Sequence, residues 1–102
     1  MSVLTVTKDN MQAEVLGSKQ TVLLDFWAPW CGPCRMLSPV IDQIAQEQPQ
    51  LKVVKVNVDE EPELAANYLI MSIPTLLVVR DGKVINKAVG VQSKAAILEM
   101  VK

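Results

Sequence analysis

Cys31 and Cys34 stand three positions apart in the run Trp30-Cys31-Gly32-Pro33-Cys34, and the chain holds no other cysteine. Residues at i and i+3 on a helical turn bring their β-carbons to about 5–6 Å, and modest local adjustment closes that to disulfide range. Dithiol and disulfide are then both reachable with little backbone motion, which is what a thiol–disulfide redox site requires. The motif lies where a strand-like run gives way to a helix-like one. With Cys31 at the first turn, the unpaired N–H groups and positive dipole end of the helix favour a thiolate there more than at Cys34 one turn later. Cys31 is therefore the candidate nucleophile and Cys34 the candidate resolving thiol. Pro33 suits a first turn, having no N–H to leave unpaired and a fixed φ, and Gly32 keeps side-chain bulk away from an incoming chain. Trp30 offers an apolar platform beside the attacking sulfur.

For Cys34 to attack, it must lose its proton. Asp25 is the candidate to take it, because a carboxylate inside the apolar run Thr21-Val22-Leu23-Leu24-Asp25-Phe26-Trp27 is desolvated and its pKa rises toward that of a general base. Lys55, which interrupts a valine-rich run, is its candidate partner. The competing reading makes Asp25 a buried structural acid held by hydrogen bonds. Trp27 reads first as a core aromatic that also shapes the site.

Other uses of the cysteine pair fit less well. As a staple it closes a loop of about four residues, which yields only about 2 kcal/mol in the chain-entropy model. A zinc site needs four ligands, and a chain with two cysteines and no histidine would need a dimer or carboxylates to supply them. Haem attachment fails because Arg35, not histidine, follows the motif. No metal and no organic cofactor is implied, so electrons must arrive from another protein.

The elements that must hold these residues alternate along the chain. A strand at Val3 to Val6 leads to a helix from about Lys8 to Leu16, with Thr7 as N-cap and Gly17 as its stop. The run ending at Trp27 is apolar on both faces, as in a central strand covered on two sides. From Cys34 to about Gln46, Leu37, Val40, Ile41, Ile44 and Ala45 recur at helical spacing, and Pro39 should kink that helix. Leu51 to Val58 is a strand, and strand–helix–strand over this length calls for a right-handed crossover and parallel pairing. Asp59, Glu60 and Glu61 read as a solvated start to a short helix from Pro62 to about Leu69. Thr75 to Arg80, the turn Asp81-Gly82, and Lys83 to Val89 form a hairpin. Gly90 ends that run, or lets a substrate backbone approach closely, and Ser93 caps a last helix whose Ile97, Met100 and Val101 share a face. The order βαβαβαββα predicts an α/β fold, a mixed five-stranded sheet flanked by helices on both faces.

Half of the 102 residues are hydrophobic, enough for one compact domain over residues 1–102. Ten Lys and Arg against eleven Asp and Glu leave a net charge of −1, which argues against nucleic acid or an anionic membrane as the primary partner. No run approaches the roughly 18 apolar residues of a membrane span. Met1 to Thr5 has neither a basic nor an apolar leader region, so the expected location is cytoplasmic.

Asp25-Phe26-Trp27-Ala28-Pro29-Trp30-Cys31-Gly32-Pro33-Cys34-Arg35, followed by Pro39, Lys55, Asp59, Ile73-Pro74-Thr75, Asp81-Gly82 and Gly90, resembles the thioredoxin family over essentially the full length. That resemblance implies the thioredoxin fold with strand order 1-3-2-4-5. It implies reduction of disulfide-containing protein substrates by exchange at Cys31 and Cys34, recharged by a thioredoxin reductase, and the chain is read as a monomer. It further implies a cis bond before Pro74, placing Ile73 and Pro74 beside the cysteines, where the Ile73 backbone can pair with an extended substrate; taken alone, Pro74 would be an ordinary turn proline. Arg35 stands where lysine is common, Met71-Ser72 where a basic residue and glycine occur, and Val79 where an aromatic is frequent. Two rival readings keep the fold: an oxidase or isomerase, which often has histidine between the cysteines, and a non-catalytic subunit binding through Trp30, Ile73, Pro74 and Gly90.

Overall fold

The computed structural model describes residues 3–102; Met1 and Ser2, the start of the segment read above for a leader, lie outside them. Among the described residues five strands, β1 (Leu4–Thr5), β2 (Val22–Trp27), β3 (Lys52–Asn57), β4 (Thr75–Arg80) and β5 (Lys83–Val89), make one sheet ordered β1-β3-β2-β4-β5. β1 and β2 run parallel to β3, while β4 is antiparallel to both β2 and β5. The helices are α1 (Gly32–Glu47), α2 (Pro62–Asn67) and α3 (Lys94–Met100), preceded by a π-helical segment, Gln12–Leu16.

Side chains alternate across a strand, and the sequence exploits that to build two cores. Val22, Leu24 and Phe26 of β2, Val54 and Val56 of β3, and Leu77 and Val79 of β4 pack with Met11, Val15 and Leu64 on one face. Leu23, Val53, Leu76 and Val78 pack on the other face with Leu37, Ile41 and Ile44 of α1 and Ile97 of α3. Asp25 and Lys55 are register partners and share the α1 face with Leu23 and Val53. The strand period thus delivers both charged residues to the helix that carries the cysteines.

Several boundaries differ from expectation. The strand expected at Val3 to Val6 pairs only at Leu4–Thr5, with one further bond from Val6 N to Lys55 O at 2.8 Å. The helix expected from Lys8 opens as a single turn, closed by Met11 N donating to Thr7 O at 3.0 Å, and runs on as the π segment; Thr7 caps it as expected, its Oγ1 accepting from Asp9 N at 3.2 Å while Asn10 Oδ1 accepts from Thr7 N at 2.7 Å. Gly17 N then reaches back to Gln12 O at 2.7 Å, five residues away. α1 begins two residues earlier than expected and continues through Pro39 as one helix.

α2 ends at Asn67, two residues short, in a Schellman motif: Ile70 N donates to Ala65 O at 2.9 Å and Leu69 N to Ala66 O at 3.1 Å. Leu69 takes the left-handed position, φ +54°, that glycine usually fills. The β4–β5 turn has positive φ at Asp81 and Gly82, as a two-residue hairpin demands, and a bulge shifts the register at Val78/Val79. Ser93 Oγ caps α3 by accepting from Ala96 N at 3.1 Å.

Candidate functional site

β2 ends at Trp27, and the chain turns through Ala28-Pro29-Trp30 into α1, so the cysteines sit where a parallel strand meets a helix N-terminus. Cys31 is the N-cap itself, and its Sγ accepts from Cys34 N at 3.2 Å. That bond and the helix dipole would hold negative charge on this sulfur once it is a thiolate. Pro33, at the second helical position, has no donor to lose. The two cysteines are disulfide-bonded, with Cα atoms 5.2 Å apart, and both are nearly buried.

Around the pair the surroundings are unequal. Cys31 Sγ lies 3.9 Å from Ile73 O, and the Ile73–Pro74 peptide is cis. Pro74 O accepts from Gly90 N at 2.8 Å, which ties the Gly90 segment to the same loop. Gly90 has φ +90°, and a β-carbon there would face open space, as it would at Gly32. Glycine is needed at Gly90 for its backbone angle, and both positions leave the approach clear.

Cys34 faces inward. With Asp25, Trp27, Arg35, Ser38 and Lys55 it lines a cavity of about 160 Å³. Asp25 is 1% exposed, and its Oδ1 is the one buried side-chain polar atom without a partner among the described residues. Burial raises its pKa from 3.8 to about 6; the Lys55 charge pulls it back and the Asp42 charge adds to the rise. Lys55 does not ion-pair with Asp25 as its candidate partnership suggests. Its ammonium donates to Ser38 Oγ at 2.7 Å and lies 5.9 Å from the Trp27 ring centroid, acting on Asp25 through space.

A second hollow opens on the other side of the motif. Trp30, 67% exposed, borders a groove of about 360 Å³ with Val58, Ala65, Ile70, Met71, Ser72 and Ile73. Asp59 is not simply part of a solvated helix start: its Oδ2 accepts from the Trp30 indole N–H at 3.0 Å. Sequence reading missed this bond, the Ser38 anchor and the groove wall, because each joins segments distant in the chain. The only local signal was that Asp59 belongs to the family-like set.

The family model described as Thioredoxin matches residues 2–102. The chain is 48% identical over 102 residues to the thioredoxin of Bacillus subtilis, covering 99% of this chain and 96% of that protein. Over 93 residues it is 53% identical to thioredoxin 1 of Synechococcus elongatus, covering 90% of this chain and 87% of that one. It is 48% identical over 98 residues to the thioredoxin of Pyropia yezoensis, covering 95% and 92% of the two chains. The chain belongs to the thioredoxin family.

Thioredoxins are oxidoreductases acting on protein disulfides, and the bonded Cys31–Cys34 pair fits that dithiol–disulfide exchange. The sheet order matches the one the thioredoxin resemblance implies. Among the described residues no helix is long and apolar enough to cross a membrane.

Proposed function

We propose that this chain is a single-domain, monomeric, cytoplasmic member of the thioredoxin family that reduces disulfides in protein substrates and is recharged by a thioredoxin reductase. The observation that carries the reading is the unequal setting of the two sulfurs: Cys31 at the helix N-cap beside Ile73, Cys34 on the Asp25 cavity.

In the dithiol form the Cys31 thiolate attacks one sulfur of a substrate disulfide. A mixed disulfide forms and the other substrate sulfur leaves as a thiolate. Substrate backbone lies along Ile73 and Pro74, with Gly90 open beside them and Trp30 packed against its side chains. Asp25 then removes the Cys34 proton. Its cavity far exceeds the roughly 10–15 Å³ a water needs, so one water can bridge carboxylate and thiol. The Cys34 thiolate attacks Cys31 Sγ, the second substrate thiolate leaves, and two electrons have passed to the substrate. Gly32 and Pro33 shape the turn, and Lys55 tempers the Asp25 charge.

Turnover of a disulfide-bonded protein substrate, with a thioredoxin reductase supplying electrons, tests each role. Cys31→Ser should lose all turnover, whereas Cys34→Ser should accumulate the mixed disulfide, visible by intact mass. Disulfide reduction retained by Cys31→Ser would remove the nucleophile assignment. The reduction potential of the pair should lie at or below the cytosolic glutathione poise of about −220 to −260 mV; a clearly more oxidising value would make the protein an oxidase or isomerase.

A further inference from the structure

Asp25 and Lys55 are register partners on the adjacent strands β2 and β3, and opposite charges so placed ordinarily close into an ion pair. Here they stay apart. The Lys55 ammonium is drawn to α1, where it donates to Ser38 Oγ at 2.7 Å, and Asp25 Oδ1 stays buried with no partner. Ser38 stands four residues after Cys34, one turn along the same helix face, and lines the cavity that Cys34, Asp25 and Lys55 share. A neutral hydroxyl thus accepts the N–H that the carboxylate would otherwise accept.

For a base the difference is large. A carboxylate clasped by an ammonium is stabilised in its charged form and loses affinity for a proton. One that feels the cation only through space keeps that affinity and a free lone pair for the Cys34 proton. The other groups facing Asp25 do not replace this control. Arg35 on α1 lines the cavity but donates from its guanidinium to Pro29 O at 2.9 Å. Asp42, on the same helix, adds negative charge, and β4 presents the apolar Leu76. The Cys34 thiol titrates only in the dithiol form.

Resting on the reductase reading, we propose that Ser38 is a positioning residue for the resolving step: its hydroxyl holds the Lys55 ammonium off Asp25 and so keeps the carboxylate free to take the Cys34 proton.

Ser38→Ala removes the acceptor, and alanine, the better helix former, keeps α1 intact. The released ammonium then turns to Asp25 Oδ1. Carbon-13 NMR of the Asp25 carboxyl in the oxidised protein should give a titration midpoint of about 6 in the parent chain. In Ser38→Ala it should lie about one pH unit lower. Ser38→Thr, which keeps the hydroxyl, should restore the parent midpoint. In a Lys55→Met background Ser38→Ala should leave the midpoint where Lys55→Met alone puts it, since no ammonium is there to release. The Cys31 mixed disulfide is followed by acid quench and intact mass after the reduced protein meets a disulfide-bonded protein. Its decay at neutral pH should slow about threefold in Ser38→Ala and recover in Ser38→Thr. A midpoint unmoved by Ser38→Ala, or moved equally without Lys55, would overturn the proposal and leave the reductase reading in place. So would a shifted midpoint with unchanged decay. Failure of the parent chain to reduce any protein disulfide would overturn the reductase reading and the role of Ser38 with it.

Discussion

Asp25 is buried with one oxygen unpartnered, and this costs the fold stability in proportion to how fully the carboxyl is ionised. Its pKa rises from 3.8 to about 6 on burial. An acid with a raised folded pKa binds its proton more tightly when folded, so its favourable contribution is complete below about pH 4 and disappears as pH rises through about 6. At about 1.4 kcal/mol per pH unit the difference between those limits is about 3 kcal/mol, an upper bound once water reaches the carboxylate. Asp25→Asn abolishes this titration. Urea unfolding of the oxidised protein should give wild-type stability that falls between pH 4 and 8 and a variant curve that is flatter and higher at pH 8. Parallel curves would mean that Asp25 is solvated in the folded state. Stability surrendered at neutral pH is the counterpart of the base role proposed for Asp25.

At the scale of elements, the end of α2 shows local preference yielding to tertiary demand. Leu69 fills the left-handed position of the Schellman motif and exposes its side chain, while the same motif turns Ile70 back beside Ala65 on the groove wall. Glycine carries no β-carbon penalty there, so Leu69→Gly should raise stability by about 0.5–1 kcal/mol. For a domain of this size that is a rise of about 2–8 °C in thermal midpoint. A lower midpoint would indicate that the exposed leucine packs in solution. The unfavourable residue also explains why the helix end was misplaced from sequence: no glycine marked it. By contrast β2, β3, β4 and their faces were legible, because apolar runs and period-two alternation are local signals that put Asp25 and Lys55 opposite α1. The π segment was not, since the five-residue reach from Gly17 N to Gln12 O leaves no mark in apolar spacing. Nor was the Trp30–Asp59 bond, which spans 29 residues and depends on the crossover.

Taken whole, the molecule concentrates its chemistry at the end of the sheet where β2 and β3 finish and β4 begins, and leaves β5 as a margin paired on one side only. That strand exposes Val84 and Ile85 between Lys83 and Lys87, and Val89 beyond them. The register shift at Val78/Val79 makes the margin irregular where it meets Val84 and Asn86. Bulges and lysines are the devices that keep a sheet margin from templating another chain. Their consequence is colloidal: with a net charge of only −1, long-range repulsion between molecules is weak, so these two cations and one misfit in register are the local guard against pairing along β5. Lys83→Gln combined with Lys87→Gln should sediment as larger species at concentrations where the parent chain does not, and unchanged sedimentation would assign the protection to the bulge alone.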